Sequence, residues 1–193
     1  MKPIRSFIAF QIKLSPELKN FLFSMQAALS ASSIRWVNAE QLHVTLAFLG
    51  ETSPMQLVAA DKLLGSITGS TSCFTVSLRG LGYFGKTTAP RVIWIGMDHS
   101  TELGTLQKRI SEGLVLSGME PEDRQYSPHI TLGRIKEFRD AATFRSLLTT
   151  YGCYDFHSFS VEEIIHYESI LSPGGPEYRP IRVYPLLPAH TQD

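Results

Sequence analysis

The sequence predicts an α+β fold in two lobes, each an antiparallel β-sheet with flanking helices. Three observations lead there. His-apolar-Thr-Leu occurs twice, in QLHVTLAFLG (41–50) and SPHITLGRIK (127–136), with the second histidine at 129 against 43, 86 residues on. That period is nearly half the 193-residue chain, too long for a solenoid, so each half supplies one copy. Amphipathic helices alternate with short β-rich runs in both halves, the pattern of helices laid on antiparallel sheets. Hydrophobic residues make up 43% and charged residues 19%, an ordinary globular balance.

SFIAFQI (6–12) has strand composition. SPELKNFLFSMQAALS (15–30) opens with Ser15 as N-cap and Pro16 at the first helical position, and Leu18, Phe21, Leu22, Met25 and Leu29 recur at helical spacing. IRWV (34–37) and LHVTLAFL (42–49) are strands. SPMQLVAADKLLGSI (53–67) is a helix opened by Ser53 and Pro54. CFTVSLRGLGYF (73–84) and RVIWIGM (91–97) form a hairpin around a Gly/Thr/Pro turn. STELGTLQKRISEGLVLSG (100–118) is a helix with Leu103, Leu106, Ile110 and Leu114 on one stripe, stopped by Gly118. HITLGRI (129–135) is a strand, AATFRSLLTTY (141–151) a short helix and FSVEEIIHYES (159–169) a strand; SPGGPEYR (172–179) is a turn before the last strand, RVYPL (182–186). No low-complexity segment or linker separates the halves, so residues 1–193 are expected to pack as one bilobal domain.

Eighteen Lys+Arg against eighteen Asp+Glu give zero net charge, which disfavours a non-specific binder of long nucleic acid but not of a nucleic-acid end. Cys73 and Cys153 have no CxxC spacing, which excludes a disulfide scaffold and a cysteine-built zinc site. Gln11 and Lys13 interrupt the apolar N-terminal stretch, and no run approaches the roughly 20 residues of a membrane span. The expectation is a cytoplasmic chain with no membrane contact, a monomer with no obligate protein partner.

Side chains alternate along a strand, so His43 and Thr45 share one face while Val44, Leu46 and Phe48 share the other. His129 and Thr131 repeat this against Ile130 and Leu132. Each strand therefore displays an imidazole and a hydroxyl from a polar face. HxxE, HExxH and HxH are absent and no carboxylate stands beside either histidine, so neither metal nor cofactor is expected. Two histidines can act as one acid and one base near neutral pH. On opposite sides of one ligand they suit in-line displacement at phosphorus, with the threonine hydroxyls on the non-bridging oxygens. That is the equipment of a metal-independent phosphodiesterase. The pattern does not say which histidine plays which part.

The tandem motifs at this spacing resemble those of the 2H phosphoesterases, and among them the RNA 2′,3′-cyclic phosphodiesterases, also known as 2′-5′ RNA ligases. RSFIAF (5–10), RWVNAEQLHVTLAFLGE (35–51), LGYFG (81–85), RVIWIGM (91–97), SPHITLGR (127–134) and YESILSPGGPEYRPIRVYPL (167–186) extend the resemblance along the chain. It implies two pseudo-symmetric lobes enclosing a cleft, and hydrolysis of an RNA or nucleoside 2′,3′-cyclic phosphate to a 2′-phosphomonoester, with weak reverse 2′-5′ ligation. It makes His43 the proton donor to the 3′ leaving oxygen and His129 the acceptor from water, and it matches Thr45 and Thr131 to phosphate-binding threonines. It also places Phe84 and Arg134 around the terminal base. Strict alternation sets Arg134 on the face opposite His129 unless a bulge or bend at Gly133 brings it round; Phe84 equally suits a core aromatic beside a turn. Two other readings stand beside hydrolysis of RNA ends. One is a non-catalytic binder of phosphorylated RNA ends; the other is a phosphodiesterase for another cyclic phosphate, such as that of ADP-ribose.

The remaining candidates are assigned structural roles first. His99 belongs to a loop, His157 and His166 to packing or surface, and His190 to the tail. Trp36 and Trp94 are core residues, while Tyr126 and Tyr167 suit either core or cleft. Arg5 and Lys86 are candidates for attracting phosphate, and Glu168 for orienting a catalytic histidine. Gly80, Gly82 and Gly85 lack the Lys-Ser/Thr ending of a triphosphate loop.

Overall fold

The computed structural model describes residues 2–98, 100–121, 126–172 and 175–189. The elements are β1 (Ile4–Gln11), α1 (Pro16–Ala28), β2 (Ser33–Trp36), a 3-10 turn (Ala39–Gln41), β3 (His43–Thr52), α2 (Pro54–Thr68), β4 (Phe74–Lys86) and β5 (Ala89–Met97). They continue with α3 (Thr101–Leu116), β6 (His129–Glu137), α4 (Ala141–Tyr151), β7 (Asp155–Val161), β8 (Glu163–Ser172) and β9 (Gly175–Pro185). His99 and His190 lie outside the described residues. Among the described residues no helix is long and apolar enough to cross a membrane.

The helix starts are local chemistry. Ser15 Oγ accepts from the Leu18 N–H, and Ser53 Oγ from the Gln56 N–H, while the Gln56 side chain accepts from the Ser53 N–H. Pro16 and Pro54 occupy the first turn, where a missing N–H costs nothing. Each such cap contributes about 1 kcal/mol. Gly118, at φ 72°, ends α3 in the left-handed conformation that glycine adopts without penalty.

The strands pair antiparallel in one sheet of order β7-β4-β5-β6-β3-β1-β8-β9, with β2 alongside β6. The two expected lobes meet within this sheet at one Cα pairing, Val44 with Ile130. Beyond it β6 takes β2 as its neighbour, Trp36 opposite Gly133, and the Val37 N–H donates to the Leu132 carbonyl at 2.8 Å. The helices cover one face. Leu18, Leu22 and Met25 of α1, Ala60 and Leu64 of α2, Leu103, Leu106, Ile110 and Leu114 of α3 and Phe144 of α4 join Ile8, Val44, Ile95 and Ile130 in one core. Burying a side chain of that size stabilises by about 1.5–3 kcal/mol.

The stretch expected as one strand over 159–169 is two, broken at Glu162. β7 pairs with β4 and β8 with β1, strands far apart along the sheet, so one residue links its two ends and the sheet must curl strongly. A parallel bridge of Ser72 with Leu187 ties the same ends together. The expected turn over 172–179 is shorter too, because Gly175–Arg179 already pair with β8. Pro176 and Pro180 are tolerated there because β9 is an edge strand, where a ladder N–H is dispensable.

His166 lies on the helix side of β8, opposite Ile8, and is 1% exposed. Its Nε2 is 3.0 Å from Ser6 Oγ, which is 2.8 Å from Thr52 Oγ1, which donates to the Gly50 carbonyl at 3.0 Å. With the Thr52 proton committed to Gly50, Ser6 donates to Thr52 and must accept from His166, so Nε2 of His166 carries a proton. Burial pushes its pKa down to about 4, only partly opposed by the charge of Asp61. In the unfolded chain the pKa is the ordinary value of about 6.5. The unfolded state therefore binds more protons between these values, and stability is complete above about 6.5 and lost as pH falls toward 4. Denaturant unfolding at pH 7 and pH 4.5 should show the wild type losing about 2 kcal/mol more than His166→Gln. Parallel losses in the two proteins would rule out His166 as the source.

Candidate active site

Val44 and Ile130 are both fully buried, which fixes the face of everything beside them. His43 and Thr45, and His129 and Thr131, point to the opposite side, away from the helices. In antiparallel register, the Val44–Ile130 pairing sets His43 toward Thr131 and Thr45 toward His129. Neighbouring strands are about 4.8 Å apart and same-face residues about 7 Å apart along a strand. The four polar groups thus occupy the corners of a small rectangle over the seam, all half-buried.

Each imidazole is held from behind in the same way. His43 Nδ1 lies 2.7 Å from the Gln41 carbonyl, and His129 Nδ1 lies 2.7 Å from the Ser127 carbonyl. A carbonyl only accepts, so Nδ1 carries the proton in both rings and Nε2 is left for a ligand. Backbone carbonyls therefore do the orienting considered for Glu168, which sits on β8 opposite Ser6. Burial pushes the pKa of both histidines below the ordinary value; the carbonyl bonds partly oppose this. Positive charge adds to it, from His129 and Arg134 at His43, and from Arg134 at His129.

Arg134 reaches the cleft through a bulge. Trp94 pairs with Thr131 but Ile93 with Gly133, so Leu132 is an extra residue on β6 and the alternation resets after it. Gly133 is required there because a Cβ would stand 2.8 Å from Ile34 Cγ2 and 3.1 Å from Trp36 Cε3, where β2 crosses. After the bulge Arg134 shares the face of His129. Val92 pairs with Arg134 on one side and Phe84 on the other, leaving a slot two strand spacings wide over its small side chain. Phe84 is 40% exposed, with its ring edge-on to His129 at 4.9 Å. Trp94, expected in the core, lies on this face too, 6.1 Å from His129, and Gly82 is the glycine that makes room for its indole.

The first motif bulges at the same point. Ala9 pairs with Thr45 but Ile8 with Ala47, so Leu46 is the extra residue on β3. Phe48, expected on the core face with Val44 and Leu46, is turned onto the His43 face and is 46% exposed. It meets an aromatic group that strand alternation does not reveal. Phe7 packs against His43 at 5.1 Å, Phe48 at 6.0 Å, Tyr167 at 5.2 Å and Tyr178 at 5.0 Å. Phe7, Ala9, Ile165 and Tyr167 form a second buried cluster on the cleft side of the sheet. Tyr178 stands edge-on to His43 at 5.0 Å. The signal for this cluster is the doubly apolar run FIAF, since a strand buried on both faces loses its alternation.

Trp36 covers Gly133, and His157 stacks on Phe159 on β7. Arg5 and Lys86 are exposed. Tyr126 packs against the main core, and burial raises its hydroxyl pKa well above the ordinary tyrosine range.

The family model described as LigT like phosphoesterase matches residues 12–94 and again residues 95–178. A protein of Geobacillus stearothermophilus named RNA 2′,3′-cyclic phosphodiesterase is 32% identical over 98% of this chain, which spans 59% of that relative's length. One of the same name from Archaeoglobus fulgidus is 30% identical over 94% of this chain and 99% of its own. The crystal structure of E. coli LigT complexed with 3′-AMP superposes with a TM-score of 0.69 at 30% identity, covering 96% of this chain and 99% of that one. With two matching repeats, each carrying one His-x-Thr strand at the seam, the chain belongs to the LigT-like family of 2H phosphoesterases.

Proposed function

We propose that the protein hydrolyses RNA or nucleoside 2′,3′-cyclic phosphates to 2′-phosphomonoesters by paired-histidine acid/base catalysis. The observation that carries this is the rectangle over the seam, with two imidazoles fixed through Nδ1 and their Nε2 atoms left for one ligand between two threonine hydroxyls. The names of the Geobacillus and Archaeoglobus relatives supply the substrate class. The acid and the base are the histidines themselves; among the described residues, no group of three His, Cys, Asp or Glu is placed to share a metal ion.

The rectangle is close to two-fold symmetric and does not distinguish the histidines; the parts taken here follow the resemblance to the family motif. Neutral His129 takes a proton from water at Nε2 as the water oxygen bonds to phosphorus. The bond from phosphorus to O3′ breaks in line, and O3′ takes the Nε2 proton of protonated His43. The 2′-phosphate remains, and solvent returns each histidine to its starting form. Thr45 and Thr131 donate to the non-bridging oxygens, and Arg134 supplies positive charge to the anion. The slot over Val92 takes the terminal base between Phe84 and Arg134, where stacking is worth about 1–3 kcal/mol per base. Ligation to a 5′-hydroxyl is the reverse of the corresponding ester cleavage and is expected to be weak.

The decisive assay uses an RNA oligomer ending in a 2′,3′-cyclic phosphate, with EDTA present. The 2′-phosphate product should form with wild type and fall by about 10²–10⁴-fold in His43→Ala and in His129→Ala. Binding without turnover would instead establish a reader of phosphorylated ends.

Both histidine pKa values lie below about 6.5 in the free protein, so kcat/KM should trace a bell whose limbs both fall below that value. The basic limb of the kcat profile should move upward, because a bound phosphate anion favours the imidazolium of His43. A flat profile would end the acid/base account.

Thr45→Ala removes a hydroxyl and a methyl from a half-buried position on the face away from the helices. It should lower kcat/KM about ten- to a hundredfold, the worth of one hydrogen bond to a charged group, with the melting temperature nearly unchanged. A drop in thermal stability as large as that of a core truncation would assign Thr45 to packing.

A further inference from the structure

The two lobes present the same backbone positions to the cleft but fill them differently. In the second lobe the line across the strands is Phe84, Val92, Arg134, and in the first it is Tyr167, Phe7, Phe48. The small Val92 leaves an open slot between its neighbours. Phe7 fills the corresponding slot: it is 3% exposed and stacks on Tyr167 with an interplanar angle of 18°. No base can enter there. What the first lobe offers is an aromatic platform, with Phe48 6.0 Å across the strands from Phe7 and Tyr178 edge-on to both Phe7 and His43.

Phe48, 46% exposed on the same face as His43, extends the Phe7 cluster with an aromatic surface open to a ligand. The platform is continuous with the reaction centre through the Phe7–His43 and Tyr178–His43 contacts. Positive charge from Arg5 and Arg134 is felt at the Tyr178 hydroxyl, so the surroundings suit a polyanion. An exposed aromatic surface with arginine charge nearby, next to a candidate phosphate site, is the chemistry that receives a nucleobase and its backbone.

We propose that Phe48 and Tyr178, backed by Phe7, form a second base-stacking subsite that takes the penultimate nucleoside of an RNA whose terminal cyclic phosphate lies between the histidines. The inference rests on the cyclic phosphodiesterase reading. It makes the enzyme a reader of RNA ends at least two nucleotides long rather than of free nucleoside cyclic phosphates. The bulge at Leu46 is what creates the subsite, because without it Phe48 would point into the core.

The test compares adenosine 2′,3′-cyclic phosphate with the dinucleotide ApA ending in a 2′,3′-cyclic phosphate, and with the same dinucleotide lacking its penultimate base. Wild type should prefer the full dinucleotide over the mononucleotide by about tenfold in kcat/KM, and the abasic one should behave like the mononucleotide. In Phe48→Ala the ratio of dinucleotide to mononucleotide should fall to near one, and Phe48→Tyr should restore it. A wild-type ratio near one, or a ratio unchanged in Phe48→Ala, overturns the proposal. So does an abasic dinucleotide as good as the full one, which would assign the gain to the phosphate alone.

The parallel measurement is equilibrium binding of 2′-AMP and of ApA carrying a 2′-phosphate. Absence of turnover on every cyclic substrate would overturn the hydrolytic reading. A tenfold binding preference for the dinucleotide, lost in Phe48→Ala, would still establish the subsite, and equal binding would dismiss it.

Discussion

The geometry of the cleft hangs on one antiparallel pairing, Val44 against Ile130. Both side chains are fully buried among the helices, so neither strand can rotate about its axis without exposing apolar surface. That constraint turns His43, Thr45, His129 and Thr131 outward together. It also sets how far apart the two imidazoles stand. Because β6 exchanges β3 for β2 after this point, the lobes touch along a short seam and part beside it. A longer ladder would have filled the space between the motifs with sheet.

The histidines are poised by what surrounds them more than by any partner of opposite charge. The groups that shift them are burial, a backbone carbonyl each, the charge of Arg134 on both and, at His43, the charge that His129 carries when protonated. A carboxylate behind either ring would favour the imidazolium at all times. A carbonyl fixes the tautomer while leaving the protonated form costly until an anion arrives. In the proposed reaction the phosphate that is to be cleaved supplies the charge that makes one histidine an acid.

Much of this is legible in the chain. The repeated His-x-Thr-Leu gives the lobes, the four groups and their common face, and Ser-Pro at 15–16 and 53–54 gives two helix starts to the residue. What alternation cannot carry is any position beyond a bulge. Leu46 and Leu132 each insert one residue, and both lie at the fourth position of the motif, so the period-two rule fails from there on. It leaves Arg134 undecided and puts Phe48 on the wrong face. The strand over 159–169 fails for another reason: strand-forming residues stand on both sides of Glu162 and Glu163 while the ladder partner changes from β4 to β1. Pairing is a property of the curled sheet, and no local pattern records it. Tyr178 is hidden likewise, since Pro and Gly around it signal a turn, and only the ladder with β8 makes that stretch a strand.

The paired bulges also explain how a nearly symmetric frame serves an asymmetric substrate. Backbone, motif and bulge repeat in both lobes, and with them the two imidazoles and two hydroxyls that the proposed reaction sets around phosphorus, where in-line displacement itself is close to symmetric. Asymmetry enters one layer out, at the residue five positions past each histidine and at the centre of the neighbouring strand. There Arg134 and Val92 make a charged slot, and Phe48 and Phe7 a filled platform. In the proposed reaction the chemistry is set by what the lobes share, and the direction in which an RNA end would lie across it by where they differ.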